Sequence, residues 1–181
     1  MPDYISFDRQ DDALVSLAMT CDALERTNID VRYWKHAIVA SHNALQGFIC
    51  ISISNGNSLL TLKKQHMKKW LQAYEKDDAY PDTQLDYFIE LFDKRFSSDS
   101  GVIRDSINWL NDTRNMFIHF NIDSYSVCHR SAHHCVSEAI KAIKLTPALA
   151  NGIFFYEQCQ REEFVSLCIK AEALLQGYEP K

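Results

Sequence analysis

The chain has 181 residues, of which 46% are hydrophobic and 24% are charged, and its formal net charge is −5. This length suits one domain whose core needs neither disulfides nor a structural metal. The composition is that of a globular protein and argues against a disordered chain. The acidic balance argues against broad nonspecific attraction to nucleic acid without excluding a locally basic site.

Several features favour a cytoplasmic protein without a membrane segment. No uninterrupted apolar run approaches the roughly 20 residues that span a bilayer. The first residues have no basic region followed by an apolar one, so they do not resemble a secretory signal. The cysteines are widely spread and mostly occupy apolar positions, which indicates reduced, packed thiols rather than a disulfide framework. They are Cys21, Cys50, Cys128, Cys135, Cys159 and Cys168.

Two amphipathic helices open the chain. Apolar residues at spacings of three and four predict the first helix over 10–27. A longer and more apolar helix is predicted over 31–54, with Asp30 as its cap and Gly56 as its stop. This second helix carries His42, for which two interpretations stay open: a hydrogen-bonded histidine on an exposed edge, or a substrate contact.

A lysine-rich stretch follows at 63–69. On a helix, Lys64 and Lys68 share a face one turn apart, with Trp70 to one side. Such a patch could bind a phosphate backbone while the aromatic ring stacks on a base. Alternatively, the lysines are only the solvated face of a helix.

The second half of the chain predicts further helices with short connections. After the break at Pro81, helices are predicted around residues 85–92, over 102–120 (the motif helix), over 125–145 and over about 161–176. The aromatic segment between the last two is either extended or a tight loop. With only 5 Gly and 4 Pro in the chain, the pattern favours long helices over many short strands. We therefore expect a single all-α domain, a helical bundle of about five to seven helices.

The motif helix places a polar cluster inside an apolar pattern. Asn115 and His119 stand one turn apart, and Asp112 and Asp105 continue the same ridge. Arg114 points about 100° away from Asn115, onto the apolar flank of the helix. The apolar residues predicted to face inward on that flank are Ile103, Ile107, Leu110 and Phe117.

A guanidinium on a half-buried face needs a partner because it keeps its charge. A permanent cation, an imidazole and a short amide together suit phosphoryl transfer without a metal, and RNA supplies its own nucleophile in the 2′-hydroxyl. The alternative is structural, with Arg114 in an ordinary salt bridge and His119 placed favourably at the helix end. The acidic residues considered for that salt bridge are Asp86, Asp93 and Asp112.

The segment Arg114-Asn-Met-Phe-Ile-His119 resembles the Arg-polar-(three or more)-His signature of the HEPN superfamily of helical-bundle proteins. The order of elements over about 30–145 is similar too, with a long early apolar helix, a variable middle, the motif helix and a following helix. The resemblance implies a metal-independent endoribonuclease, of the kind used in toxins or in phage defence. It implies that His119 is a general acid or base, Arg114 the phosphate holder and Asn115 the orienting amide.

HEPN enzymes pair two motif helices across a dimer to make one composite site. Within one chain, Arg114 and His119 diverge by roughly 140° around the helix. Two antiparallel copies would bring the arginine of one beside the histidine of the other in a symmetric homodimer. In one toxin branch a partner nucleotidyltransferase modifies a tyrosine two residues after the histidine, but that position is Asn121 here.

The resemblance thus implies RNA and a second copy as partners, with an antitoxin or regulatory protein as a further one and with no cofactor. Two other readings stay open. One is a catalytically silent HEPN-like module that binds RNA, a nucleotide or a protein partner. The other is a helical interaction protein in which the motif is only a salt-bridged edge of the core.

The segment 128–135 contains the residue types of a zinc site. On a straight helix Cys128 and Cys135 share the apolar stripe, while His129 and His133 lie well round the helix. The cysteines are therefore predicted to be core residues, and no metal is expected, although the two histidines form an i, i+4 pair that could take part in a shared site. Arg130 could supply positive charge beside the motif helix.

Overall fold

A computed structural model of the chain describes residues 4–54, 56–119, 123–149 and 152–179. Within these residues the structure is all-helical and contains no β-strand, which confirms the predicted helical bundle. The seven α-helices are α1 (Arg9–Thr27), α2 (Trp34–Ser54), α3 (Lys64–Lys76), α4 (Phe88–Arg95), α5 (Arg104–His119), α6 (His129–Leu145) and α7 (Gln158–Gln176). Short 3₁₀ turns cover Val31–Tyr33, Ser58–Thr61 and Ser98–Ser100.

Helix α2 lies at the centre of the bundle. It packs against α1, α4, α5 and α6, while α7 packs against α1 and α6. Side chains such as Ile38, Leu45 and Phe48 are fully buried along it, and burying each of them stabilises the fold by about 1.5–3 kcal/mol. One continuous hydrophobic cluster joins every helix except α3 in the described part of the chain.

The segment Val31–Ser54 is long and apolar enough, by length and composition, to cross a membrane. The segment contains no long uninterrupted apolar run, because polar residues such as His42 and Gln46 interrupt it, yet its mean hydropathy stays at 1.3. In the structure 61% of its most apolar window is buried inside the bundle. That burial is typical of a core helix.

The start of α1 is tied to the start of α7. Asp8 caps α1 by accepting the N–H groups of Gln10 and Asp11 at 2.7 and 2.8 Å, and Asp11 completes a capping box. The Gln10 amide is buried; it donates to the Phe154 carbonyl at 2.8 Å and accepts from the Tyr156 N–H at 3.1 Å. The sequence did not decide whether the aromatic segment between α6 and α7 is extended or a tight loop. In the structure, residues 152–155 form an irregular loop that the bonds to Gln10 hold in place, and residue 151 lies outside the described residues.

Helix α5 is held in register by its neighbours. The buried Glu138 of α6 accepts the Ile103 N–H at 2.8 Å and so satisfies one backbone donor at the start of α5. Ser106 Oγ lies 3.0 Å from His134 Nε2 of α6. These contacts position α5, which also packs against α2 and α4.

Some predicted boundaries and inward positions are wrong. The helix predicted over 125–145 begins at His129, so Cys128 precedes it and is exposed rather than in the core, whereas Cys135 is buried as predicted. Ile103 was predicted to face inward within the helix over 102–120. It precedes α5, which begins at Arg104, and its side chain is 47% exposed. Leu85 lies outside α4 and forms an isolated antiparallel bridge with Leu62. The predicted end of the motif helix at 120 lies outside the described residues.

Residues 57–87 form an arm on the bundle, comprising a 3₁₀ turn, α3 and a returning extended segment. The Leu62–Leu85 bridge and the bond from Lys63 N–H to the Gln84 carbonyl at 3.1 Å hold its base together. Helix α3 buries only Ala73. The arm is therefore anchored at its base, while most of α3 faces solvent.

Candidate active site

Arg114 lies half-buried on α5. Its Nη1 donates to Asn115 Oδ1 at 3.1 Å, so the neighbouring amide orients the guanidinium. Its Nε is buried and has no hydrogen-bond partner within the described residues. Burial of the guanidinium lowers its pKa from the ordinary value.

The acidic residues that could have formed a structural salt bridge with Arg114 are engaged elsewhere. Asp86 pairs with Lys94 at 2.8 Å, and Asp93 pairs with Arg104 at 2.7 Å. Asp112 is exposed and accepts the Asn111 amide at 3.3 Å. In the part of the chain that the structure describes, the Arg114 charge has no acidic partner, and the salt-bridge alternative is not formed.

His42 packs beneath this arginine. It is only 2% exposed, its ring lies 4.1 Å from that of Phe88, and its Nε2 lies 3.2 Å from Asn111 Oδ1. Burial, followed by the positive charge of Arg114, lowers the pKa of His42 to about 4. The exposed-edge interpretation is therefore wrong, and a direct substrate contact is not open to this buried ring. His42 is a buried side chain whose lowered pKa makes it neutral near pH 7.

The structure thus brings four polar side chains of α2 and α5 together, of which His42 is buried and the others are half-buried: His42, Asn111, Arg114 and Asn115. Asn111 was not singled out from the sequence. The available signal was its position four residues before Asn115, which places the two amides on one face of the helix. The chain therefore contains a cation positioned by an amide, above a neutral imidazole.

His119 ends α5 and is exposed. It therefore lies at the negative end of the helix dipole. Among the described residues, no hydrogen bond joins it to Arg114, and the intervening turn of helix separates them by roughly 140°. One chain does not bring the two groups together.

The other residues predicted to support the site or to bind RNA lie on three different helices and do not form one cluster. Asp105 is exposed in the first turn of α5, and Arg130 is exposed in the first turn of α6, the helix that packs beside α5. Lys64 and Lys68 are exposed on α3, in the arm, which does not pack closely on α5. The Trp70 ring beside them stacks on Tyr80 at 4.7 Å and 7° instead of standing free.

The histidines of segment 128–135 have structural partners. His129 Nδ1 lies 3.2 Å from the Tyr178 hydroxyl, and His133 Nε2 donates to the Leu175 carbonyl at 2.9 Å. Both contacts join α6 to the end of α7. Across residues 4–54, 56–119, 123–149 and 152–179, no group of three or more metal-ligating side chains converges.

Comparisons of this chain with protein-family models, with curated proteins and with solved structures give no match. The relationship to the HEPN superfamily consequently stays a prediction carried by the residues of α5.

Proposed function

We propose that the protein is a metal-independent endoribonuclease of HEPN type whose active site forms between two copies of the chain. The observation that carries this proposal is the Arg114 guanidinium, which is half-buried, oriented by Asn115 and without an acidic partner among the described residues. An unpaired, partly desolvated cation is costly for folding. A bound phosphate would compensate that cost.

The proposed reaction is an attack by the 2′-oxygen of RNA on the adjacent phosphorus. The phosphorus–5′-oxygen bond breaks, leaving a 2′,3′-cyclic phosphate and a 5′-hydroxyl. The 2′-hydroxyl loses a proton and the departing 5′-oxygen gains one, and His119 serves as a general acid or base in this exchange. Arg114 binds the nonbridging oxygens, where negative charge is held during the transfer.

His42 and Asn115 complete the site without touching the reacting atoms. Because His42 is neutral, it adds no second positive charge beneath Arg114 that would push the guanidinium away. The Asn115 amide holds one guanidinium nitrogen, which leaves the other terminal nitrogen free to bind phosphate.

The test is RNA cleavage by the purified protein in excess chelator, compared between wild type and His119→Ala. Cleavage that survives chelation, disappears in the variant and leaves a cyclic phosphate supports the proposal. Lys144→Met is a matched surface control, because Lys144 pairs with Glu172 at 2.7 Å on α6 and takes no part in the site. Cleavage by His119→Ala at the wild-type rate would exclude the enzyme we propose.

A second candidate is a silent HEPN-like module that binds RNA, a nucleotide or a protein partner. It is favoured by the separation of Arg114 and His119 within one chain. Intact RNA together with retained RNA binding would support it. If the protein is the enzyme, we propose that it acts in the cytoplasm as a toxin or phage-defence effector and that an antitoxin or regulatory protein inhibits it.

A further inference from the structure

A separate pocket lies at one end of the bundle, where the start of α2, the last turns of α5 and the start of α6 meet. Its volume is about 410 Å³, within the range of small-molecule sites, which runs from about 300 to 1,000 Å³. The residues that line it and matter here are Trp34, Lys35, Phe117, Tyr125 and His129. None of the catalytic residues proposed above lines this pocket.

The pocket has an aromatic side. The rings of Phe117 and Tyr125 lie 5.3 Å apart, and Lys35 Nζ lies 5.6 Å from the centre of the Phe117 ring. Aromatic walls beside a cation are suited to a flat, electron-rich ring with an attached anion. Base stacking on such rings contributes about 1–3 kcal/mol per base.

Trp34, one of the residues that line the pocket, carries an unsatisfied buried donor. Trp34 is only 3% exposed and packs edge-on against Tyr178 at 5.0 Å, yet its indole Nε1 has no hydrogen-bond partner within the described residues. A buried donor without a partner costs about 1–3 kcal/mol. Because Trp34 lines the pocket, an acceptor atom on a ligand is the natural group to satisfy this N–H.

The electrostatics at the pocket favour an anion. Helix α6 begins there with His129, and the backbone N–H groups of its first turn carry the positive end of the helix dipole. Two cationic side chains line the pocket: Lys35 lies beside the aromatic rings, and Arg32 pairs with Asp30 at 2.7 Å.

An independent sign comes from Cys128, the residue just before α6. The pKa of its exposed thiol is lowered, chiefly by hydrogen bonds from Ser131 at the helix start. The start of α6 therefore already stabilises negative charge.

We propose that this pocket binds one nucleotide unit, with the base against Phe117 and Tyr125, the Trp34 N–H on a base acceptor, and the phosphate near Lys35 and the start of α6. Its role as a base subsite beside the cleaved bond rests on the proposed ribonuclease function. Phe117 follows Arg114 by three residues, so the pocket lies about 5 Å farther along the same helix. The nucleotide could belong to RNA or be free, and the experiment separates these sources.

The experiment measures binding of two probes, a ten-nucleotide RNA with 2′-O-methyl groups, which cannot be cleaved by 2′-attack, and 5′-AMP. Wild type is compared with Lys35→Met, Trp34→Phe and the control Lys144→Met. We expect the first two variants to bind at least one probe about tenfold more weakly, equivalent to about 1.4 kcal/mol, and the control to bind like wild type. Circular dichroism verifies the fold of each variant.

A second readout uses the wild-type protein alone and so does not depend on how the variants fold. Alkylation of Cys128 should slow when the probe is bound, because its two chain neighbours, Val127 and His129, line the pocket. Cys159 is the control thiol, since it is also exposed but its pKa is raised beside Glu157. Its alkylation should be slower and unaffected by the probe.

Protection by the RNA alone would assign the pocket to the substrate, and protection by 5′-AMP would assign it to a free nucleotide as well. Equal binding by wild type, Lys35→Met and Trp34→Phe, with no protection of Cys128, would overturn the inference. Because neither probe is cleaved, the result is independent of catalysis. His119→Ala should bind both probes as wild type does, even if the proposed ribonuclease activity is absent.

Discussion

Arg114 is proposed to be required for RNA cleavage, although its charge does not stabilise the fold. Its guanidinium is partly withdrawn from water and gains no ion pair among the described residues. We expect Arg114→Met, which keeps the length and removes the charge, to leave the free energy of unfolding unchanged within about 0.5 kcal/mol or to raise it. RNA cleavage should be abolished in the same variant.

The matched control for this prediction is Arg104→Met, on the same helix. It breaks an exposed bidentate pair with Asp93 and should cost at most about 1 kcal/mol while leaving cleavage intact. Urea unfolding measures both variants. A loss of more than about 2 kcal/mol in Arg114→Met would show that the arginine supports the fold instead.

His42 makes stability depend on pH. An unfolded histidine has a pKa near 6.5, whereas burial and the Arg114 charge lower the pKa of His42 to about 4 in the folded protein. Between these values the unfolded chain binds the additional proton, so stability is complete above pH 6.5 and decreases as the pH falls toward 4. At about 1.4 kcal/mol per pH unit, the loss approaches roughly 3 kcal/mol.

Urea unfolding of wild type and His42→Gln between roughly pH 7.5 and 4.5 measures this effect, since this range covers most of the interval between the two pKa values. The glutamine variant should be less stable at the upper end and should show a flatter decline toward the lower end. Parallel declines in the two proteins would contradict a buried, neutral His42.

At this scale, the sequence predicted the spacing of Arg114, Asn115 and His119 on one helix but not the environment of His42. Helical periodicity shows which residues share a face, and it does not show which other element covers that face. The ring of Phe88, from α4, closes over His42 only in the folded bundle. The contact between Asn111 and His42 likewise joins residues 69 positions apart in the chain.

Helices whose apolar residues repeat at helical spacing were predicted well. The residues at which those helices begin and end depend on local contacts and were predicted less well. The start of α6 was placed too early because the pattern of 125–145 continues helical spacing through residues that precede the helix. Trp70 was considered free to stack on a base, but the returning segment of the arm brings Tyr80 onto its ring. That contact depends on tertiary structure and leaves no signal in the spacing of 63–69.

The contact between α1 and α2 is tight at one glycine. A Cβ at Gly47 would lie 2.9 Å from Ala13 Cβ, a short side chain that cannot move away. Overpacking costs about 1–3 kcal/mol, and alanine returns about 1 kcal/mol of helix propensity. We therefore expect Gly47→Ala to lower the free energy of unfolding by about 1 kcal/mol in net terms.

The double variant Gly47→Ala/Ala13→Gly tests the cause. It removes the new contact, so its loss of stability should be smaller than the sum of the two single losses. Chemical denaturation of the four proteins gives this coupling. An increase in stability for Gly47→Ala alone would show that the two helices separate at little cost.

Helix α3 should be the least stable of the long elements. It buries only Ala73, whereas α2 is buried along most of its length. We expect the amide hydrogens of α3 to exchange through local opening, at least about 2 kcal/mol more easily than those of α2. Hydrogen exchange measured by mass spectrometry checks this, and equal protection of both helices would contradict the description of 57–87 as an arm.

At the scale of the whole molecule, the central claim is that one chain holds only half of a site. Arg114 and His119 face different sides of α5, so catalysis would require the arginine of one copy and the histidine of the other. The sequence led to this prediction through helical geometry.

Complementation between two inactive variants tests the claim most directly. Arg114→Met and His119→Ala are each unfolded, mixed in equal amounts and refolded together, and RNA cleavage is then measured per total protein. Random pairing gives half heterodimers, each with one intact site and one doubly altered site, so activity should return to about a quarter of the wild-type value. If the mixture contains heterodimers and stays as inactive as its two components, the composite site is contradicted.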